Sequence, residues 1–305
     1  MRRMCWGLLL AFIAPAAMAN EFDQGLATLW EVLWHQSGTP TRIVRWDGDI
    51  RVRFTGVNPA QYRDHTLQAL RTVTQEAGIK LTDVTGQPDE QTANVTVEYL
   101  PDTALEDNQP CVTFLDFKTE TRIDSASVQM RTRDAWRCDY HEAMHVMGVR
   151  GHPAGQTVLS YFPWKIDGLL PLDRVMLRAW YSPRMAGGMT PFEALPVLAD
   201  QLIATVPPAE RQAAMNTRDT FYVETIRQMH AYANGQGDIP AVVKRSGKAT
   251  SEGMRYGRGE MSYFLGIAYL EGATVPRDAT QAVRWLERAA TMGNRGAQQK
   301  LGAFK

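Results

Sequence analysis

Cysteine is scarce in this chain, with 3 in 305 residues. Cys5 precedes a short apolar stretch near the N-terminus, which leaves Cys111 and Cys138 for the body of the protein: enough for one disulfide, not a framework of them. Net charge is lacking as well. The 33 Lys and Arg balance 33 Asp and Glu to a formal +0, and so even a balance points to no nucleic-acid partner. Beyond the N-terminus no apolar run is long enough to cross a membrane, so no transmembrane segment is expected in the mature chain. What remains is ordinary globular composition, 44% hydrophobic and 22% charged, with length for about two domains.

The first nineteen residues read as a secretory signal peptide. Arg2 and Arg3 make a positive start, Leu8 to Ile13 an apolar core, and Ala17-Met18-Ala19 a small-x-small cleavage site. Cleavage there takes away two arginines and no acid, leaving the mature chain slightly acidic. The implied destination is outside the cytoplasm, in the periplasm. In that oxidising compartment the two remaining cysteines, Cys111 and Cys138, are expected to pair.

From Ile50 to Met130 the pattern is strand, helix, then four strands. Ile50–Phe54 alternates apolar and charged residues, as a half-buried strand does. Asn58-Pro59 opens a helix with Leu67, Leu70, Val73 and Ala77 at helical spacing, and Gly78 ends it. Further strands are expected at Ile79–Val84, Ala93–Tyr99, Cys111–Leu115 and Ser127–Met130. Asp134 then caps a helix running to about Met147. Helices follow at Pro171–Tyr181, Pro191–Thr205 and Ala209–Ala233, with Pro207-Pro208 as a joint.

The chemistry sits on the helix after Asp134, which reads His141-Glu142-Ala143-Met144-His145. Residues four apart share a helix face, so the two imidazoles can meet one metal ion. Glu142, beside the first, can move a proton to and from a metal-activated water. Gly148 follows where the helix must stop, because glycine takes the left-handed cap conformation without a Cβ penalty. The chain can then return, bringing His152 back toward the pair.

This stretch resembles the metzincin zinc peptidases, whose pattern is HExxHxxGxxH followed by a turn bearing a methionine. The likeness covers roughly Ile50 to Tyr161 and includes the order of elements before the helix. It implies hydrolysis of peptide bonds through a zinc-bound water, with Zn2+ on His141 and His145 and Glu142 as general base. Tyr161 matches a tyrosine that reaches the metal site in some members. The chain departs from the pattern twice. The family's third histidine falls on Gly151, with His152 one residue late, and the turn methionine is Leu159. The third ligand is therefore open between His152 and Asp173, a carboxylate on the following helix.

Near the C-terminus, Ala297–Leu301 and Gly302 echo Met261–Leu265 and Gly266, 36 residues earlier. The run from Leu265 to Gly272, then Asp278, then Ala282 to Gly293 resembles a Sel1-like repeat, with small residues where two helices approach. Sel1-like repeats usually bind proteins. His35, His65 and His230 lack partners at ligand spacing and read as satisfied histidines. Trp30 and Trp34, four apart, read as a core-facing helix stripe.

The expectation is thus an α+β chain in three parts: the signal peptide at 1–19, a metzincin-like mixed sheet with its active-site helix at 20–205, and an all-α helical-hairpin domain at 206–305. The expected activity is that of an exported zinc metallopeptidase acting on a protein or peptide substrate. The alternative is a non-catalytic envelope adaptor, in which a zinc-binding peptidase-like domain is joined to protein-binding repeats.

Overall fold

The computed structural model describes residues 15–34, 42–119, 121–160, 168–240, 257–272 and 274–303, with side chains from residue 21 onward. Five strands form one mixed sheet in the order β2-β1-β3-β5-β4. Strand β1 (Ile50–Gly56) buries Ile50, Val52 and Phe54 on alternate positions, as its sequence alternation requires. It pairs in parallel with β2 (Leu81–Asp83) and β3 (Val95–Leu100). Strand β5 (Arg122–Arg131) lies parallel to β3, and β4 (Cys111–Thr119) runs antiparallel to β5 along the sheet edge.

Strands β4 and β5 extend beyond the expected Cys111–Leu115 and Ser127–Met130, into a hairpin whose last pair is Thr119 and Arg122. The added length of β4 is exposed and carries a register shift after Asp116, although its partner β5 buries Ile123 and Ala126. An edge with no buried face shows no apolar alternation from which to read a strand.

Helix α2 (Pro59–Ala77) crosses between β1 and β2 and closes on Gly78, at φ +70°. Helix α3 (Ala135–Val146) follows β5 directly and packs on α2 and the sheet. Three more helices follow: α4 (Pro171–Trp180), α5 (Pro191–Thr205) and α6 (Arg211–Ala233). The last three are α7 (Arg258–Glu271), α8 (Ala279–Thr291) and α9 (Arg295–Gly302). Helices α7 and α8 form a tight hairpin, in which a Cβ on Gly266 would lie 2.7 Å from Leu286 Cγ. That is the close approach for which the repeat's small residues are suited. No described helix is long and apolar enough to cross a membrane.

Helix α1 (Pro15–Trp34) packs against α5 and α6. Its Trp30 and Trp34 rings are buried 5.2 Å apart in a T-shaped pair. Trp34 meets Phe264 of α7 at 5.0 Å, and Trp30 meets Phe192 of α5 at 5.4 Å. Arg42 donates to the Tyr263 hydroxyl at 2.9 Å. One apolar core runs from Leu29 through the sheet to Ala297. A chain ending at residue 205 loses Phe264 from Trp34 and the cover of α6 from α1. Such a chain is expected to lose about 3 kcal/mol or more, the scale of one or two large apolar side chains re-exposed. Urea unfolding with tryptophan emission tests this, and an unchanged midpoint would show that residues 20–205 fold as an independent unit.

Candidate metal centre

Helix α3 is held at both ends. At its start, Cys138 is bonded to Cys111 at the head of β4, so the expected disulfide is present. At its finish, side chains take the carbonyls that a helix end leaves open. Trp46 Nε1 donates to Val146 O at 2.7 Å, and the Tyr181 hydroxyl donates to Met147 O at 2.8 Å. Gly148 then turns the chain at φ +84°, its N–H donating to His145 O. A Cβ there would lie 2.4 Å from Val44 O.

The returning loop is pressed against α1. A Cβ on Gly151 would lie 2.3 Å from Val32 O. Glu31, buried on α1, accepts from Ala154 N at 2.8 Å. Between these contacts His152 is carried back to the helix. Its Nε2 lies 3.1 Å from His145 Nε2 and 3.2 Å from His141 Nε2, which are themselves 3.1 Å apart. Position 151 has no room for a side chain, so the imidazole comes from the next residue.

Two ring orientations are fixed by backbone. His141 Nδ1 lies 2.9 Å from Val158 O, and His145 Nδ1 2.7 Å from Val149 O. A carbonyl only accepts, so each Nδ1 carries a proton, and in the neutral tautomer that this fixes Nε2 is the acceptor that faces the other rings. Lone pairs converging at 3.1 Å repel unless a cation lies among them. Three nitrogens held tetrahedrally at about 2.0–2.1 Å from zinc lie roughly 3.3 Å apart, close to what is observed. Burial, and then the neighbouring His141 and His152, lower the His145 pKa well below the usual histidine value, which keeps the ring neutral, the form a metal ligand requires. The donor set thus fits zinc. Among the described residues these three histidines form the convergent cluster, and Asp173 is not part of it.

Asp173, at the start of α4, is fully buried and turned to backbone. Its carboxylate accepts from Val158 N at 3.2 Å and from Leu170 N at 2.8 Å. It therefore fixes the residue whose carbonyl orients His141. Glu142 is also buried, and its Oε2 accepts from Thr113 Oγ1 of β4 at 2.6 Å. Burial pushes the Glu142 carboxyl up, against the opposing pull of His141 and Thr113. A cleft of about 830 Å³ opens between β4 and α3 and reaches Glu142 and all three histidines. Leu159 is buried in the turn that follows, whereas Tyr161 and His35 lie outside the described residues.

Sequence reasoning missed Thr113, Glu31 and the support role of Asp173, because nothing in local spacing tells which way these side chains turn. His65 is a satisfied histidine, paired with buried Asp139 of α3. Trp30 and Trp34 face the core.

Two tests follow from the support groups. Burial raises the Asp173 carboxyl to about 7 in the folded chain. Its protonated form is therefore the one that suits the fold: its contribution is complete below about pH 4 and is lost as pH rises through 7. The Asp173→Asn chain should show a flatter urea midpoint than wild type between pH 4 and 8, and parallel profiles would count against this assignment. Gly151→Ala should destabilise by about 1–3 kcal/mol through overpacking against Val32, which an unchanged unfolding midpoint would refute.

Comparison with known families divides the chain. Residues 259–294 are a Sel1 repeat. Residues 15–146 match the family model described as Protein of unknown function (DUF2927), which spans α1 to the end of α3 and includes His141, Glu142 and His145 but not His152. No peptidase family matches, and no curated protein or solved structure does.

Proposed function

We propose that this chain is an exported zinc-dependent metallopeptidase with a metzincin-like catalytic domain. The observation that carries the reading is the convergence of three imidazole Nε2 atoms, two of them held as bare acceptors by backbone carbonyls. His141, His145 and His152 would hold Zn2+. Bound there, zinc supplies Lewis acidity toward water and toward a peptide carbonyl.

The chain's own groups supply the rest. Glu142 takes a proton from the attacking water on its carboxylate and hands it to the departing amine. Burial raises its pKa toward the operating pH, where a general base works best. Thr113 holds one carboxylate oxygen in place and leaves the other for the proton. The outer edge of β4 lines the cleft with no strand beyond it among the described residues, and an extended peptide can hydrogen-bond along such an edge. Phe114 and Phe117 stand exposed on that strand as apolar contacts for the peptide. Tyr161, carried over from the family likeness, is assigned to the same site. The apolar N-terminal leader and the Cys111–Cys138 bridge both suit the periplasm.

The second reading, a non-catalytic adaptor, is favoured by the Sel1 repeat, which suggests protein–protein interaction. Metal analysis and peptide hydrolysis separate the two. The mature chain should hold one zinc ion. Glu142→Ala should keep it and lose hydrolysis of an unstructured peptide by about 10²–10⁴-fold, the scale of general acid–base catalysis. His152→Ala should lose most of the zinc and Asp173→Asn should keep it. A zinc-loaded wild type with no hydrolysis would favour the adaptor, and a wild type that takes up no zinc would overturn the metal site itself.

A further inference from the structure

A second cavity, of about 480 Å³, lies between the end of α6 and the α7–α8 hairpin, and shares no lining residue with the histidine cleft. Its size suits two or three residues of a peptide rather than a folded domain. One wall is aromatic. The His230 and Trp285 rings lie 4.9 Å apart, and the Tyr269 hydroxyl is 3.0 Å from His230 Nε2. The other wall is cationic. Arg288 donates to Ala233 O at 2.8 Å and lies 6.0 Å from the Trp285 ring centre, so its guanidinium is fixed in place. Arg284 stands exposed one turn earlier on the same helix.

Among the described residues neither arginine has a carboxylate partner. The nearby acid, Asp278, is engaged in accepting from Gln281 N as the cap of α8. Two buried donors in this wall, Trp285 Nε1 and Arg288 Nε, also meet no acceptor among the described residues. The lining is therefore rich in donors and short of acceptors, with aromatic faces beside the charge. A planar carboxylate answers an arginine fork, and an apolar or aromatic side chain next to it answers the rings.

We propose that this cavity of the repeat region binds a carboxylate carried on a peptide, with Arg284 and Arg288 as its partners and Trp285 and Tyr269 as the surface for the adjoining side chain. The site stands whether or not the histidine cleft hydrolyses anything. The test uses the full mature chain carrying Glu142→Ala, so that the probe stays intact in either case. Calorimetric titration with N-acetyl-Ala-Ala-Phe bearing a free C-terminal carboxylate should show binding. The C-terminal amide should bind at least tenfold more weakly. N-acetyl-Asp-Phe-amide shows whether a side-chain carboxylate serves as well, and binding of either acid supports the site. Arg288→Gln removes a helix-capping contact and can disturb the fold, so Arg284→Gln, at an exposed position, is the deciding variant. It should weaken the acid about fivefold or more with no change in unfolding midpoint. Equal binding of acid and amide, no binding of either acid, an unaffected Arg284→Gln chain, or equal competition by sulfate would each overturn the proposal.

Discussion

The approach of three stretches of backbone sets where everything else in the centre can go. The turn at Gly148 lies against Val44, and the loop at Gly151 lies against Val32 of α1. Neither place has room for a Cβ. These contacts fix how α3 ends and at what point the chain comes back toward it. Because the backbone at 151 is pinned to the helix, the next side chain is the first that can reach His141 and His145. The third imidazole of the cluster is therefore at 152, one residue later than in the metzincin pattern, and the reason lies in backbone packing.

Around that frame backbone carbonyls orient the helix imidazoles, and burial keeps His145 neutral. Val158 and Val149 lend carbonyls to the two helix histidines, and Asp173 in turn holds the N–H of Val158. A residue that competes for the role of ligand in the sequence thus acts one step further out. This division has a physical logic. A carboxyl group turned inward to backbone N–H groups is already hydrogen-bonded there, whereas three imidazole nitrogens converging on one point are placed as a ligand set is.

Much of this was legible beforehand, and the limits are instructive. The i, i+4 pair His141 and His145 is a consequence of helix geometry alone. The caps at Gly78 and Gly148 were readable because positive φ selects glycine. The bridge between Cys111 and Cys138 followed from having two cysteines beyond a stretch that reads as an export signal. The choice between His152 and Asp173 was not readable, since it depends on α1, more than a hundred residues earlier, pressing on Gly151. Nor was Thr113, whose hydroxyl meets Glu142 because β4, paired with β5 and bridged to α3 by the disulfide, lies beside that helix. Local rules name the residues that carry chemistry, while long-range packing decides which of them meet.

The same reasoning explains why the helical region is more than an appendage. Helix α1 supplies Glu31 and Val32 to the loop bearing His152 and, from its next turn, Trp34 to Phe264 of α7. One rigid element thus touches the loop bearing His152 on one side and the repeat hairpin on the other. Glu31 is buried and bonded to Ala154 N, so a displacement of α1 would strand its carboxylate away from water, at the cost that any buried, unmet charge carries. The packing of α6 and α7 against α1 resists that displacement. The stability of the repeat region and the position of the third histidine are therefore tied through a single helix, by direct contact on each side.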